Sequence, residues 1–202
     1  MLTNAYYLGE DMSKQAKTLT AQELRRVLDY IATRKHSTRN RAIVLTTFLS
    51  GMRVGEVANL LYSDVVDSEG KIKSEIRLTA EQTKGNEARV VFVNERLRKE
   101  LDTYIKHHPQ AQPNQKLFYS QQRTSDGFTA NTLTQFFHFL YKKVGIDGAS
   151  SHSGRRTFIT NLASKGVSVR VLMSLSGHKN ISTTQAYIDV NDDMKRRAVE
   201  LV

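Results

Sequence analysis

Residues 149–188 concentrate side chains suited to one reaction. His152 and Arg155 stand three apart, His178 follows Gly177, and Tyr187 comes nine residues after His178. Two imidazoles, a guanidinium and a phenol this close suit holding a phosphate anion and attacking it with the phenol. A tyrosine with its ordinary pKa of about 10 is phenolate in roughly one molecule per thousand at pH 7, so such a nucleophile needs cationic neighbours and a base. Attack on a phosphodiester adds charge to the non-bridging oxygens. Fixed Arg and His donors aimed there stabilise that state, each typically worth ~10²–10³ in rate. The leaving 5′ oxygen needs a proton, which a lysine or a histidine can give. This chemistry requires no metal and no cofactor, in keeping with the lack of an acidic cluster in the sequence.

Two upstream positions can complete such a site. Arg53 lies in Ser50-Gly-Met-Arg-Val-Gly-Glu56-Val57, among buried-type residues, and a half-buried arginine needs an anionic partner. Glu56 is either its structural ion-pair partner or the group that orients it while its remaining donors face a ligand. Lys84 sits in Gln82-Thr-Lys-Gly-Asn-Glu87, the tip of an expected hairpin. A lysine there commonly just keeps the tip soluble; a matching constellation elsewhere would make it a proton donor. Arg25, Arg26, Arg39 and Arg41 form a basic belt, and Arg156 and Lys179 flank the two histidine motifs. These six are either a solvated face or contacts to DNA phosphates.

The chain's charge favours such a partner. Thirty Lys and Arg against 20 Asp and Glu give a formal charge of +10 and a pI near 9.8 across 202 residues, which favours a polyanion. No cysteine is present, which excludes disulfides and thiolate zinc sites and fits a reducing cytoplasm. No apolar run approaches the ~20 residues of a membrane span. The longest, Ala42–Leu49, is interrupted by two threonines. The N-terminus lacks the basic-then-apolar pattern of a signal peptide.

Period-3.6 segments dominate. Thr20-Ala-Gln-Glu23 is a capping box opening a helix with Leu24, Val27, Leu28 and Ile31 on one face. Residues 39–50 read as an apolar helix stopped by Gly51, followed by a short helix over 52–57 with Arg53 in its first turn. Residues 71–93 change to a β period around the Lys84 turn. Helices follow at 95–107, capped by Asn94, and at 131–144, with a loop over 108–128. Residues 152–165 form a helix whose first turn carries His152, Arg155 and Arg156, with Phe158 and Leu162 inward; a helix N-terminus favours anions. Ser168 caps a helix bearing Val171, Leu172 and Leu175 and ended by Gly177. Ser182 caps the short helix presenting Tyr187, and Asn191 caps a last one over 192–201. The expected fold is mainly α with a small antiparallel β-sheet, an α+β arrangement. Residues 1–17 read as a tail or linker stub.

These motifs, in order, resemble the tyrosine recombinase (phage integrase) family, whose catalytic-domain fold is shared with type IB topoisomerases. Arg53 matches the first arginine motif, Lys84 the hairpin lysine, His152-Ser-Gly-Arg155 the His-x-x-Arg motif, Gly177-His178 the second histidine and Tyr187 the nucleophile. The resemblance covers about residues 18–202, which it identifies as the family's catalytic domain. It implies that Tyr187 attacks the scissile phosphate to give a 3′-phosphotyrosyl link, that Arg53 and Arg155 clamp the non-bridging oxygens, and that Lys84 protonates the leaving oxygen. His152 would assist as acid or base, and His178 would hydrogen-bond the phosphate. The partner implied is double-stranded DNA, bound by a homotetramer on paired sites, with residues 190–202 docking on a neighbouring subunit and DNA-bending accessory proteins assisting. The setting implied is the nucleoid in a prokaryotic cytoplasm. Gly154 and Arg156 stand where many members have Leu and His, and little effect is expected of either. Most members also carry an N-terminal helical domain that closes the clamp around DNA. The sequence is read either as an excised catalytic domain or as a naturally short member. A topoisomerase-like DNA-relaxing enzyme and a non-cleaving DNA-binding regulator are the alternative functions.

Overall fold

A computed structural model describes residues 15–83, 85–107, 112–119, 127–188 and 192–200. Among them lie ten helices and one two-stranded sheet. In chain order these are α1 (Ala21–Ala32), α2 (Ser37–Ser50), α3 (Val54–Asn59), α4 (Tyr62–Val65), β1 (Glu75–Leu78), β2 (Arg89–Phe92), α5 (Glu95–Lys106), α6 (Ala130–Lys143), α7 (Ser153–Ser164), α8 (Val169–Ser176), α9 (Ile181–Gln185) and α10 (Asp192–Val199). The mainly helical α+β expectation holds.

The core is built around α2. Its residues Ala42–Thr47 are all fully buried, because α1, α5 and α7 cover it from several sides. A helix enclosed in this way is apolar all round rather than along one stripe. The two threonines that interrupt its apolar run are tolerated because each hydroxyl donates to a carbonyl one turn back: Thr46 to Ala42 at 2.7 Å and Thr47 to Val44 at 2.8 Å. Around it, α1 contributes Val27, Leu28 and Ile31, α5 contributes Leu97, Leu101, Tyr104 and Ile105, and α6 contributes Leu133, Phe137 and Leu140. The Thr20–Glu23 capping box and the Asn94 cap form as the sequence predicts.

Several boundaries differ. The helix expected over 39–50 begins at Ser37, because His36 takes a left-handed conformation with φ 62°. Arg53 is the N-cap of α3 rather than part of its first turn. The sheet is shorter than the β-period stretch: β1 and β2 pair Glu75 with Phe92 and Leu78 with Arg89, while Ile72 forms an isolated bridge to Val66. Helix α7 buries Ile159 and Ala163, whereas Phe158 and Leu162 are half-buried. Val171 faces out, 48% exposed, and Leu172 carries the packing of α8. Asn180, not Ser182, caps α9. Asn191 lies outside the described residues.

Gly154 is a packing device rather than a neutral departure. A Cβ there would overlap the Thr47 hydroxyl and lie 2.8 Å from Thr47 Cβ and 3.0 Å from a Phe48 ring carbon. Helix α7 therefore approaches α2 closely at the very turn that carries Arg155. Gly51, with φ 67°, ends α2 and lies under the Phe158 ring. These two contacts set the position of α7 against the end of α2.

Candidate active site

The site is assembled on three successive carbonyls at the C-terminus of α8. A helix leaves its last carbonyls without intrahelical donors, and here each of three accepts from a different arginine. Arg89 Nη1 donates to Leu175 O at 2.9 Å, Arg155 Nη2 to Ser176 O at 2.6 Å, and Arg53 Nη2 to Gly177 O at 3.3 Å. Gly177, at φ 61°, turns the chain, and its N–H and that of His178 bond back to Ser174 O and Met173 O. This closing turn needs a left-handed residue, which glycine supplies without strain. The cationic side chains also complement the negative end of the helix dipole.

Arg155 is 4% exposed, and its other terminal nitrogen donates to Gly51 O at 2.7 Å. It thus ties the end of α2 to the end of α8, with donors left over among its five N–H groups. Burial, with the Arg53 charge adding, pulls its pKa down to about 9, so it stays protonated at neutral pH. Glu56 is fully buried and accepts four hydrogen bonds: from Arg53 N at 2.7 Å, Arg53 Nη1 at 3.1 Å, Arg89 Nε at 3.2 Å and Arg89 Nη2 at 2.7 Å. Burial alone would raise its pKa; the Arg89 hydrogen bonds and charge, helped by Arg53, outweigh this and hold it below the ordinary carboxylate value. Glu56 thus holds Arg53 through both its backbone and its side chain. Arg89 is the partner sequence reading missed. Its place at the start of a β-strand looks like that of a surface cation, and only its hydrogen bonds reveal it. Three arginines against one carboxylate leave two uncompensated positive charges beside the site.

His178 is buried, and its ring stacks on Tyr187 at 5.6 Å between centroids and 25° between planes. Burial first, then the charges of Arg155, Arg53 and Arg89, lower its pKa to about 4, so it is neutral at pH 7. Tyr187 is half-buried. Arg156 places its guanidinium carbon 5.2 Å from the Tyr187 ring centroid, a cation–π contact. Arg156 thus lies against the tyrosine.

Tyr187 lines a cavity of about 350 Å³ with His152, Arg155 and Arg156. Gln15 and Ala16, expected to belong to a tail, also line it. A second cavity of about 560 Å³ is lined by Arg53, Arg89, His178, Thr83 and Gly85. His152, exposed at the start of α7, also faces Arg53 and Glu56 across a further cleft. Five of the six expected catalytic side chains, Arg53, His152, Arg155, His178 and Tyr187, thus converge. The sixth, Lys84, lies outside the described residues; the Lys179–Glu87 ion pair at 2.8 Å ties the hairpin to the His178 turn beside it.

The basic belt divides. Arg41 makes a two-point pair with Glu100 at 2.7 and 2.6 Å. Arg39 bonds Tyr119 O and Asn40 and covers the Phe128 ring. Both take part in holding the fold through these contacts. Arg25 is exposed and only 4.0 Å from Asp29, and Arg26 reaches Gly145 O at 3.4 Å.

The sequence profile of the phage integrase family matches residues 17–194, and the chain belongs to that family. It is similar to the tyrosine recombinase XerA of Thermococcus kodakarensis, 32% identical over 91% of this chain and 62% of the relative. With XerA of Pyrococcus furiosus it shares 29% identity over 91% of this chain and 61% of the relative. The chain spans about three fifths of the length of these relatives. Among solved structures, a XerA recombinase superposes with TM-score 0.72 at 30% identity, covering 92% of this chain and 64% of the other. The Tn1549 transposon integrase in complex with transposon right end DNA has the same fold, with TM-score 0.72 at 23% identity over 96% of this chain and 68% of the other. The fold is that of a tyrosine recombinase catalytic domain.

Proposed function

We propose that this chain is the catalytic domain of a site-specific DNA recombinase that cuts and rejoins strands through a 3′-phosphotyrosyl intermediate. The observation that carries the proposal is Tyr187 stacked on His178, beside Arg53 and Arg155 fastened to consecutive carbonyls. The Tyr187 oxygen attacks the scissile phosphorus and loses its proton to His152 or solvent. The phosphorus–5′-oxygen bond breaks, and Lys84 protonates the leaving oxygen. Arg53 and Arg155 face the non-bridging oxygens as their charge rises, matching the two surplus positive charges of the site. The phosphotyrosyl bond keeps the phosphodiester's energy, so a second 5′-hydroxyl reseals the strand by the reverse steps without ATP. The positive charge the step needs is carried by side chains, so no metal is invoked. Double-stranded DNA is the substrate, and strand exchange takes place in a homotetramer on paired sites, with residues 190–202 docking on a neighbour and DNA-bending proteins assisting.

The test is covalent trapping. The protein and its Tyr187→Phe variant are incubated with nicked DNA fragments and denatured, and DNA left on the protein is sequenced. Adduct at one or a few sequences, absent from the variant, is the expected result. Adduct spread over all sequences would replace the proposal with a DNA-relaxing enzyme, and adduct persisting in the variant would move the nucleophile elsewhere.

A further inference from the structure

Thr184 joins two of the residues that the recombinase reading places at the phosphate. It is fully buried in α9. Its Oγ1 lies 2.9 Å from His178 Nδ1, and its carbonyl accepts the Tyr187 N–H at 3.0 Å. A threonine hydroxyl has one proton to donate, and a neutral imidazole carries one proton on one of its two nitrogens. Two arrangements fit the 2.9 Å contact. Either the hydroxyl donates to a bare Nδ1, or Nδ1–H donates to Oγ1 and the hydroxyl proton must find another acceptor.

The other buried threonines show where such an acceptor would be. Thr46, Thr47 and Thr157 donate to carbonyls three or four residues back, at 2.7, 2.8 and 2.7 Å. Thr184 makes no such bond: among the described residues, His178 Nδ1 is the hydrogen-bond partner of its side chain. The second arrangement would strand a buried donor, which folded proteins avoid. The first satisfies both groups.

We infer that Thr184 is a positioning residue that sets the tautomer of His178: its hydroxyl donates to Nδ1, the proton resides on Nε2, and His178 meets the phosphate as a neutral N–H donor rather than as a base. The surroundings favour the neutral ring. Arg53 before α3, Arg89 on β2 and Arg155 on α7 bring positive charge toward it, the Tyr187 ring covers one face, and Lys179, paired with Glu87, follows in the chain. The same residue therefore fixes the Tyr187 backbone through its carbonyl and the imidazole's proton through its hydroxyl. This deepens the recombinase reading, on which the identity of the phosphate ligand rests.

The experiment uses the chain labelled with ¹⁵N-histidine, without DNA. Long-range ¹H–¹⁵N correlation spectra distinguish the two tautomers of His178, assigned by comparison with His178→Gln. The wild type and Thr184→Ser are expected to carry the proton on Nε2, and Thr184→Val, of similar shape without a hydroxyl, to show a mixture. Single-turnover cleavage of a nicked site should fall by about tenfold in Thr184→Val, the scale of one hydrogen bond, and recover in Thr184→Ser. A wild-type ring protonated on Nδ1, an unchanged spectrum in Thr184→Val, or equal loss of cleavage in the Val and Ser variants would each overturn the inference. Wild-type protein that forms no adduct with DNA would sink the recombinase reading instead, and its spectrum would still decide the tautomer.

Discussion

Arg89 and Glu56 are joined at two points, Nη2 to Oε2 at 2.7 Å and Nε to Oε1 at 3.2 Å, with the carboxylate fully buried and the Arg89 side chain 10% exposed. The pair links the sheet to α3, and the third Arg89 contact, to Leu175 O, carries the link on to the His178 turn. The Arg89 side chain also lies over Gly177, where a Cβ would be 2.8 Å from its Cδ. The placement of Arg53 and of the His178 turn therefore depends on Arg89, a residue outside the expected catalytic set.

Arg89→Ala is expected to destabilise the chain by roughly 3 kcal/mol or more, the scale for removing one partner of a buried ion pair. It leaves Glu56 buried with only Arg53 and leaves the Leu175 carbonyl without its donor. Urea unfolding followed by circular dichroism checks this. A loss below about 1 kcal/mol, the scale of exposed pairs, would mean that solvent reaches the pair.

Gly154→Ala should destabilise even though alanine is the better helix former by about 1 kcal/mol. The added methyl overlaps the Thr47 hydroxyl, and overpacking of this kind typically costs about 1–3 kcal/mol. Because α7 carries Arg155, adduct formation should fall with stability. Thermal melts of the two proteins give the sign, and a more stable variant would show that α2 and α7 separate freely.

Stability should decline in acid over two ranges. The folded-state pKa of His178, about 4, lies below its ordinary 6.5, so between these values the unfolded chain binds a proton that the folded chain does not. That contribution is fully present above pH 6.5 and is lost as pH falls toward 4. Glu56, lowered from 4.5, contributes stability above that value and loses it as pH falls through its folded-state pKa. Urea midpoints between pH 4 and 8 should show the first decline, and His178→Gln should flatten it. An identical profile in that variant would assign the decline to other groups.

Deleting residues 190–202 should leave covalent adduct formation on single sites intact and weaken assembly on paired sites. Helix α10 ends on Val199, which is 70% exposed. Native gel shifts on one-site and two-site DNA measure the difference, and unchanged cooperativity would assign this segment to its own subunit.

The sequence by itself determined the motif residues and several of the helix caps. Residue types and their order are one-dimensional properties: Arg53, His152, Arg155, His178 and Tyr187 are legible as motifs, and the Thr20–Glu23 and Asn94 caps follow from contacts within a single turn. Tertiary structure alone decided which partner each arginine takes. Arg39, Arg41 and Arg89 are alike in sequence, yet Arg41 is engaged by Glu100, 59 residues away, and Arg89 by Leu175, 86 residues away. The role of Gly154 was hidden for the same reason, since the atoms that forbid a side chain there belong to α2. Hydrogen bonds and steric limits between distant segments exist only once the helices have packed, and no local pattern encodes them.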